Sequence, residues 1–94
     1  MVQADRIVIY KSDPCPFCRA AIRYLREIKG EDIEIVDMTG DWDSRKRLVE
    51  RSGQRTVPQI WVGDTHIGGF DDMRALDAAG KLDPLITAVH AARA

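Results

Sequence analysis

No apolar run in this sequence approaches the ~20 residues that a membrane helix needs. Net charge is nearly absent too: 14 Lys and Arg against 15 Asp and Glu give −1, which does not suggest a basic surface for bulk nucleic-acid binding. There is no internal repeat, low-complexity tract or linker, so residues 1–94 are expected to form one domain. The opening Met1-Val2-Gln3-Ala4-Asp5 has neither a basic region nor an apolar core, so no signal peptide is visible and a cytoplasmic location is expected. Histidine is scarce, with two residues, and so is cysteine, with two. In a reducing compartment a close cysteine pair is more often redox-active or metal-binding than a structural staple.

What is present centres on that pair, Cys15-Pro16-Phe17-Cys18. The stretch before it, Arg6-Ile7-Val8-Ile9-Tyr10, reads as a buried strand. The stretch after it, Arg19 to Lys29, reads as an amphipathic helix with Phe17, Ala21, Tyr24, Leu25 and Ile28 at helical spacing, stopped by Gly30. Cys15 then falls at the N-cap, Pro16 at the first helical position and Cys18 in the first turn. The first helical N–H groups have no intrahelical partner, and the helix dipole adds roughly half a positive charge there. A thiolate at Cys15 is stabilised by both, so its pKa should lie below the free value of about 8.5.

Ile33 to Asp37 is a second strand, parallel to the first through a right-handed crossover. Asp41 or Asp43 caps a helix to about Ser52, ended by Gly53, with Trp42, Leu48 and Val49 inside and Arg45, Lys46, Arg47 and Arg51 mostly outside. Val57 to Val62 and Thr65 to Ile67 form a hairpin across Gly63-Asp64, with Pro58 at the strand start. Asp71 or Asp72 opens a third helix, closed by Gly80, and Asp83-Pro84 caps a last one. The order β-α-β-α-β-β-α-α gives an α/β layered domain. Met38 and Met73 read as core, Trp42 and Trp61 as packing residues, and His66 and His90 as exposed. A zinc site would need four ligands, and the two histidines fit no common finger spacing with the cysteines.

Taken together these segments resemble the glutaredoxins, over about residues 6 to 86. The resemblance rests on Cys15-Pro16-Phe17-Cys18 after the first strand and Thr56-Val57-Pro58 before the third. It continues in Gly68-Gly69-Phe70-Asp71-Asp72 after the hairpin, and in Leu76-Asp77 with Leu82-Asp83-Pro84-Leu85. It is to the small bacterial dithiol glutaredoxins of the glutaredoxin-3 type. It implies a thioredoxin-like fold, a four-stranded mixed sheet of order 2-1-3-4 flanked by helices. It implies a cis bond before Pro58 that places the Val57 backbone beside Cys15. Glutathione is the implied reductant, with no metal. The implied partners are glutathionylated or disulfide-containing proteins, ribonucleotide reductase among them as for several relatives, and the chain is expected to be a monomer. Two departures stand out. The family usually has Tyr where this chain has Phe17, and a cation where it has Ser12, with Lys11 one position earlier. Pro14 directly before Cys15 should stiffen the loop.

On this resemblance Cys15 is the nucleophile and Cys18 the resolving thiol. Glutathione is expected along Thr56, Val57 and Pro58, with its γ-glutamyl end at Gly69, Phe70, Asp71 and Asp72. Phe17 flanks the cysteines, and Lys11 or Arg55 meets the glycine carboxylate, with Arg47 in reserve. Two rivals are a glutathione-ligated iron–sulfur dimer, against which Pro16 speaks, and a redoxin reduced by thioredoxin reductase, against which the acidic pair Asp71-Asp72 speaks.

Overall fold

A computed structural model describes residues 4–93. Met1-Val2-Gln3, on which part of the signal-peptide reading falls, lie outside the described residues. The β-branched run after Arg6 forms β1 (Ile7–Lys11), flanked by β2 (Glu34–Asp37) and by the hairpin β3 (Gln59–Val62) and β4 (Thr65–Gly68). The sheet order is β2-β1-β3-β4, the order that the resemblance implied. β1 runs parallel to β2 with Val8 opposite Glu34, and antiparallel to β3 with Ile7 opposite Val62. Among the described residues four helices flank the sheet: α1 (Pro16–Arg23), α2 (Trp42–Ser52), α3 (Phe70–Ala78) and α4 (Leu82–Arg93).

Alternation along the strands gives the sheet two apolar faces. Ile7, Ile9, Ile60 and Val62 face α1, α3 and α4, where Ala21, Leu25, Met73, Leu82, Ile86 and Val89 complete one core. Val8, Tyr10 and Trp61 face the other way, where Met38 and Leu48 of the α2 side cover them. Both methionines are core, as expected. β1 is therefore held on both faces and both edges, and the loop that leaves it starts from a fixed point.

Several expectations need correction. α1 does not run on as one regular helix to Lys29: Tyr24–Ile28 form a π turn, in which the Lys29 N–H donates to the Tyr24 carbonyl at 3.0 Å. The wider turn rotates the residues beyond it about the helix axis. Ile28 leaves the apolar stripe and is 67% exposed, while Lys29 turns inward to Asp77. Trp42 is 76% exposed because, at 100° per residue, it lies about 120° around α2 from buried Leu48. Arg45, about 60° from Leu48 on the same count, is half-buried instead of outside. α3 opens one residue before Asp71, with Gly69 at the cap. α4 opens at Leu82, so Asp83 sits in the first turn. There it meets the Lys29 ammonium at 2.8 Å rather than capping the helix. His66 is half-buried against Trp61, with ring centroids 4.9 Å apart. Burial lowers its pKa.

Lys29 also binds Asp77 at 2.9 Å, and the Tyr24 hydroxyl donates to the same carboxylate. This small network ties the π turn to α3 and α4. The Tyr24 and Lys29 hydrogen bonds hold the Asp77 carboxyl below its usual range, so its contribution is present above the unfolded value and is lost as pH falls through the folded one. Asp77→Asn is expected to cost about 1–3 kcal/mol in denaturant unfolding at pH 7. That difference should shrink below about pH 4; a loss independent of pH would contradict the assignment.

Candidate active site

Between β1 and α1 the chain makes a short loop, anchored on both sides. The Asp13 N–H donates to Thr39 Oγ1 at 2.9 Å, and Arg45 reaches across from α2 to donate to Ser12 Oγ at 3.2 Å. The loop delivers Cys15 to the N-cap of α1, with Pro16 in the first turn. The Cys18 N–H donates to Cys15 Sγ at 3.1 Å. The two cysteines are joined in a disulfide, with their Cα atoms 5.2 Å apart. Cys15 is 7% exposed and Cys18 1%, so the first cysteine is the more accessible residue. The peptide bonds before Pro14 and Pro58 are both cis; the second had been implied, the first had not.

Beside the pair lies a cavity of about 530 Å³, lined by Phe17, Thr56, Val57, Pro58 and Gln54 on one side and by Gly69 to Asp72 on the other. Eight of the residues singled out in the sequence thus meet around one groove. Val57 lies just beyond the β1–β3 ladder, whose last pair is Tyr10 with Gln59. Phe17 is 61% exposed and forms the rim rather than part of the helix's apolar stripe.

Gln54 was not foreseen. Its amide donates to the Thr56 carbonyl at 2.9 Å and the Pro58 carbonyl at 3.2 Å, so it braces the loop that carries Val57. The only sequence signal for it is a polar residue close before Pro58. The expected cations stand elsewhere. The Lys11 ammonium is 3.0 Å from Asp13 and 3.8 Å from Asp37, and the Asp13 bond raises its pKa. Arg55 lines a separate groove with Trp42, Arg45 and Lys46. Arg47 lines a cavity under α2 with Tyr10, Met38 and Leu48.

At the far end of the groove, Asp72 Oδ2 accepts from the Gly69 N–H at 2.9 Å, closing the start of α3. The first helical bond is Met73 N–H to the Gly69 carbonyl at 3.0 Å. The N–H groups of the first turn are therefore available to an anion. Asp71 is exposed. Among the described residues no group of three or more His, Cys, Asp or Glu is placed to hold a metal ion.

Comparison with known proteins agrees with this geometry. The family profile described as Glutaredoxin matches residues 7–67. The chain is 45% identical over 82 residues to a glutaredoxin of Pseudomonas aeruginosa, covering 87% of this chain and 96% of that one. It is 42% identical over 80 residues to glutaredoxin 3 of Escherichia coli K12, covering 85% and 95%. Among solved structures it resembles a buckwheat glutaredoxin–glutathione complex, with a TM-score of 0.80 at 27% identity over 93% of this chain and 81% of that one. It also resembles a glutaredoxin from Brucella melitensis, with a TM-score of 0.75 at 38% identity over 89% and 90%.

Gly68 leads into this helix start with φ at +112°, and a Cβ there would stand 2.5 Å from Asp72 Oδ2. Gly68→Ala should therefore lose about 3 kcal/mol on denaturant unfolding. Gly53→Ala, at φ +74° with nothing within 4 Å, should lose only about 1 kcal/mol. Equal losses would remove the steric role given to the Asp72 carboxylate.

Proposed function

The chain belongs to the glutaredoxin family, a class of thiol-disulfide oxidoreductases with a thioredoxin-like fold, and from that membership we propose that it is a glutathione-dependent one. In this reading it works as one domain in the cytoplasm, as a monomer. It reduces glutathionylated proteins and protein disulfides, with ribonucleotide reductase as one acceptor. The observation that carries the reading is the Cys15 sulfur on an α1 amide, beside a groove of about 530 Å³ that ends in a second helix start.

The chemistry stems from the cap. In the reduced protein the Cys18 N–H and the α1 dipole stabilise a Cys15 thiolate over the thiol. That thiolate attacks the glutathione sulfur of a mixed disulfide. A Cys15–glutathione bond forms, and the protein thiolate leaves with the electron pair of the old bond. A second glutathione thiolate then attacks the glutathione sulfur and releases Cys15. For a protein disulfide, Cys15 forms the mixed disulfide and Cys18 resolves it, leaving the intramolecular bond.

Recognition of glutathione divides along the groove. Its middle residue pairs with the Val57 backbone as a short added strand, over Thr56 and Pro58 and under the Phe17 rim. Its γ-glutamyl carboxylate takes the N–H groups of the first turn, at Phe70 to Asp72, since the Gly69 N–H is already given to the Asp72 carboxylate. Its ammonium takes Asp71, since Asp72 is already committed to the cap. The glycine carboxylate needs a cation, and Lys11 or Arg55 would supply it only by swinging away from where each stands, Lys11 from Asp13 and Asp37 and Arg55 from its separate groove.

Turnover of a glutathionylated peptide and of a protein disulfide, both coupled to glutathione, tests the division of labour. Cys15→Ser should abolish both. Cys18→Ser should keep the first and lose the second; if both reactions die, Cys18 is not simply the resolving thiol. Asp71→Ala with Asp72→Ala should raise the KM for glutathione about 5- to 20-fold with kcat little changed, the loss of one charged contact. An unchanged KM would take those acids out of the site. A brown protein after anaerobic iron and sulfide reconstitution, without such turnover, would support the cluster-binding dimer instead. Reduction by thioredoxin reductase but not by glutathione would support the other rival.

A further inference from the structure

A second groove, of about 420 Å³, runs along α1 on the far side of Phe70. Phe70 borders both grooves. From Pro16, beside Cys15, the second groove follows one side of the helix past Arg19, Ala20 and Arg23 to Ile28. Its two charged residues are both arginines. Arg23 is met at 3.0 Å by Glu27, which does not line the groove, and Arg19 is exposed. The first groove, by contrast, carries Asp71 and Asp72. The Phe70 ridge thus separates an acidic channel from a cationic one. At the far end stands Ile28, turned out to solvent by the π turn instead of into the core.

We propose that this second groove holds the protein half of the mixed disulfide, and that it selects segments carrying acidic residues close to the reacting cysteine and an apolar residue beyond them. The inference rests on the glutathione reading above. With the glutathionyl half in the groove of Val57 and Asp71, the protein sulfur departs in line, opposite Cys15, and the surface left for the protein half is the other side of Phe70, along Pro16 and Arg19. Charge complementarity names the occupant: the arginines favour acids and disfavour lysines, and Ile28 offers an apolar anchor. The spacing is set by the helix. Pro16 to Ile28 is about 18 Å at 1.5 Å per residue, which an extended chain spans in about five residues at 3.3 Å each. As Cys15 attacks the glutathione sulfur, the leaving thiolate departs into the cationic side, where Arg19, one turn from Cys15, is the arginine near the departing charge, and Arg23 further along serves the segment.

Two glutathionylated hexapeptides test this, each with cysteine first. One carries three acids in the middle and leucine last; the other carries three lysines and serine. The readout is kcat/KM for each peptide, divided by the rate with bis(2-hydroxyethyl) disulfide, a substrate too small to reach along the groove. Wild type should prefer the acidic peptide about 10-fold or more at low salt, and lose most of that preference at about 0.5 M salt. Arg19→Glu should bring the preference to about 2-fold or reverse it. Ile28→Ser should slow only the leucine peptide, about 3- to 10-fold. Equal rates for the two peptides in wild type, or a preference that survives both substitutions together, would overturn the proposal. Absence of glutathione-coupled turnover of the small disulfide would overturn the glutathione reading itself, and this one with it.

Discussion

The contact between the Cys15 sulfur and the Cys18 amide is the interaction on which the rest of the molecule turns. It works only if sulfur and helix are both held still. The sulfur is fixed from behind: β1 is packed on both faces and paired on both edges, and the loop after it is pinned by Thr39 and by Arg45 through Ser12. The helix is fixed from below, where Ala21 and Leu25 are wholly buried. Most of the remaining structure supports that junction, since an N-cap whose two sides move independently cannot hold a charge in place.

Around the junction, segments distant in sequence meet. Gln54 braces the loop of Val57 and Pro58, and the start of α3 supplies a second set of free amides. Tyr24 links these parts. Its ring meets Phe70 edge-on at 6.1 Å, and its hydroxyl reaches Asp77 on the same helix. α3 is thereby held at both ends by a residue of the π turn, which also turns Ile28 outward. One irregularity in a helix thus bears on the two grooves that flank Phe70. No helix among the described residues is long and apolar enough to cross a membrane.

Much of this was legible in the sequence. The buried first strand, the Gly53 stop and the Cys15 cap are local patterns that appear where expected, and of the two cap candidates Asp41 and Asp43 the structure takes Asp41. The gathering of Thr56 to Pro58 with Gly69 to Asp72 came from the resemblance rather than from periodicity, because no local rule brings those segments together. What stayed hidden depends on tertiary partners. The π turn has no composition of its own, and its consequences, Lys29 inside and Ile28 outside, depend on where α3 and α4 place Asp77 and Asp83. Trp42 was read on the inner face of α2 with Leu48 and Val49, yet at 100° per residue it lies about 120° around the helix from Leu48. Lys11 was read as a cation for the glycine carboxylate, and in the fold it pairs instead with Asp13 and Asp37. The Gly63-Asp64 hairpin already set His66 opposite Trp61, but His66 was read as exposed because nothing local shows how much of its ring the Trp61 side chain covers.

The proposed chemistry is electrostatic: in the reduced protein, the amide and dipole at the start of α1 favour the Cys15 thiolate over the thiol. The direct measurement is the rate of iodoacetamide alkylation of Cys15 against pH in a Cys18→Ala protein, which keeps the backbone amide and removes the second thiol. A midpoint clearly below the free value of about 8.5 is expected. A midpoint at or above that of free cysteine would contradict it.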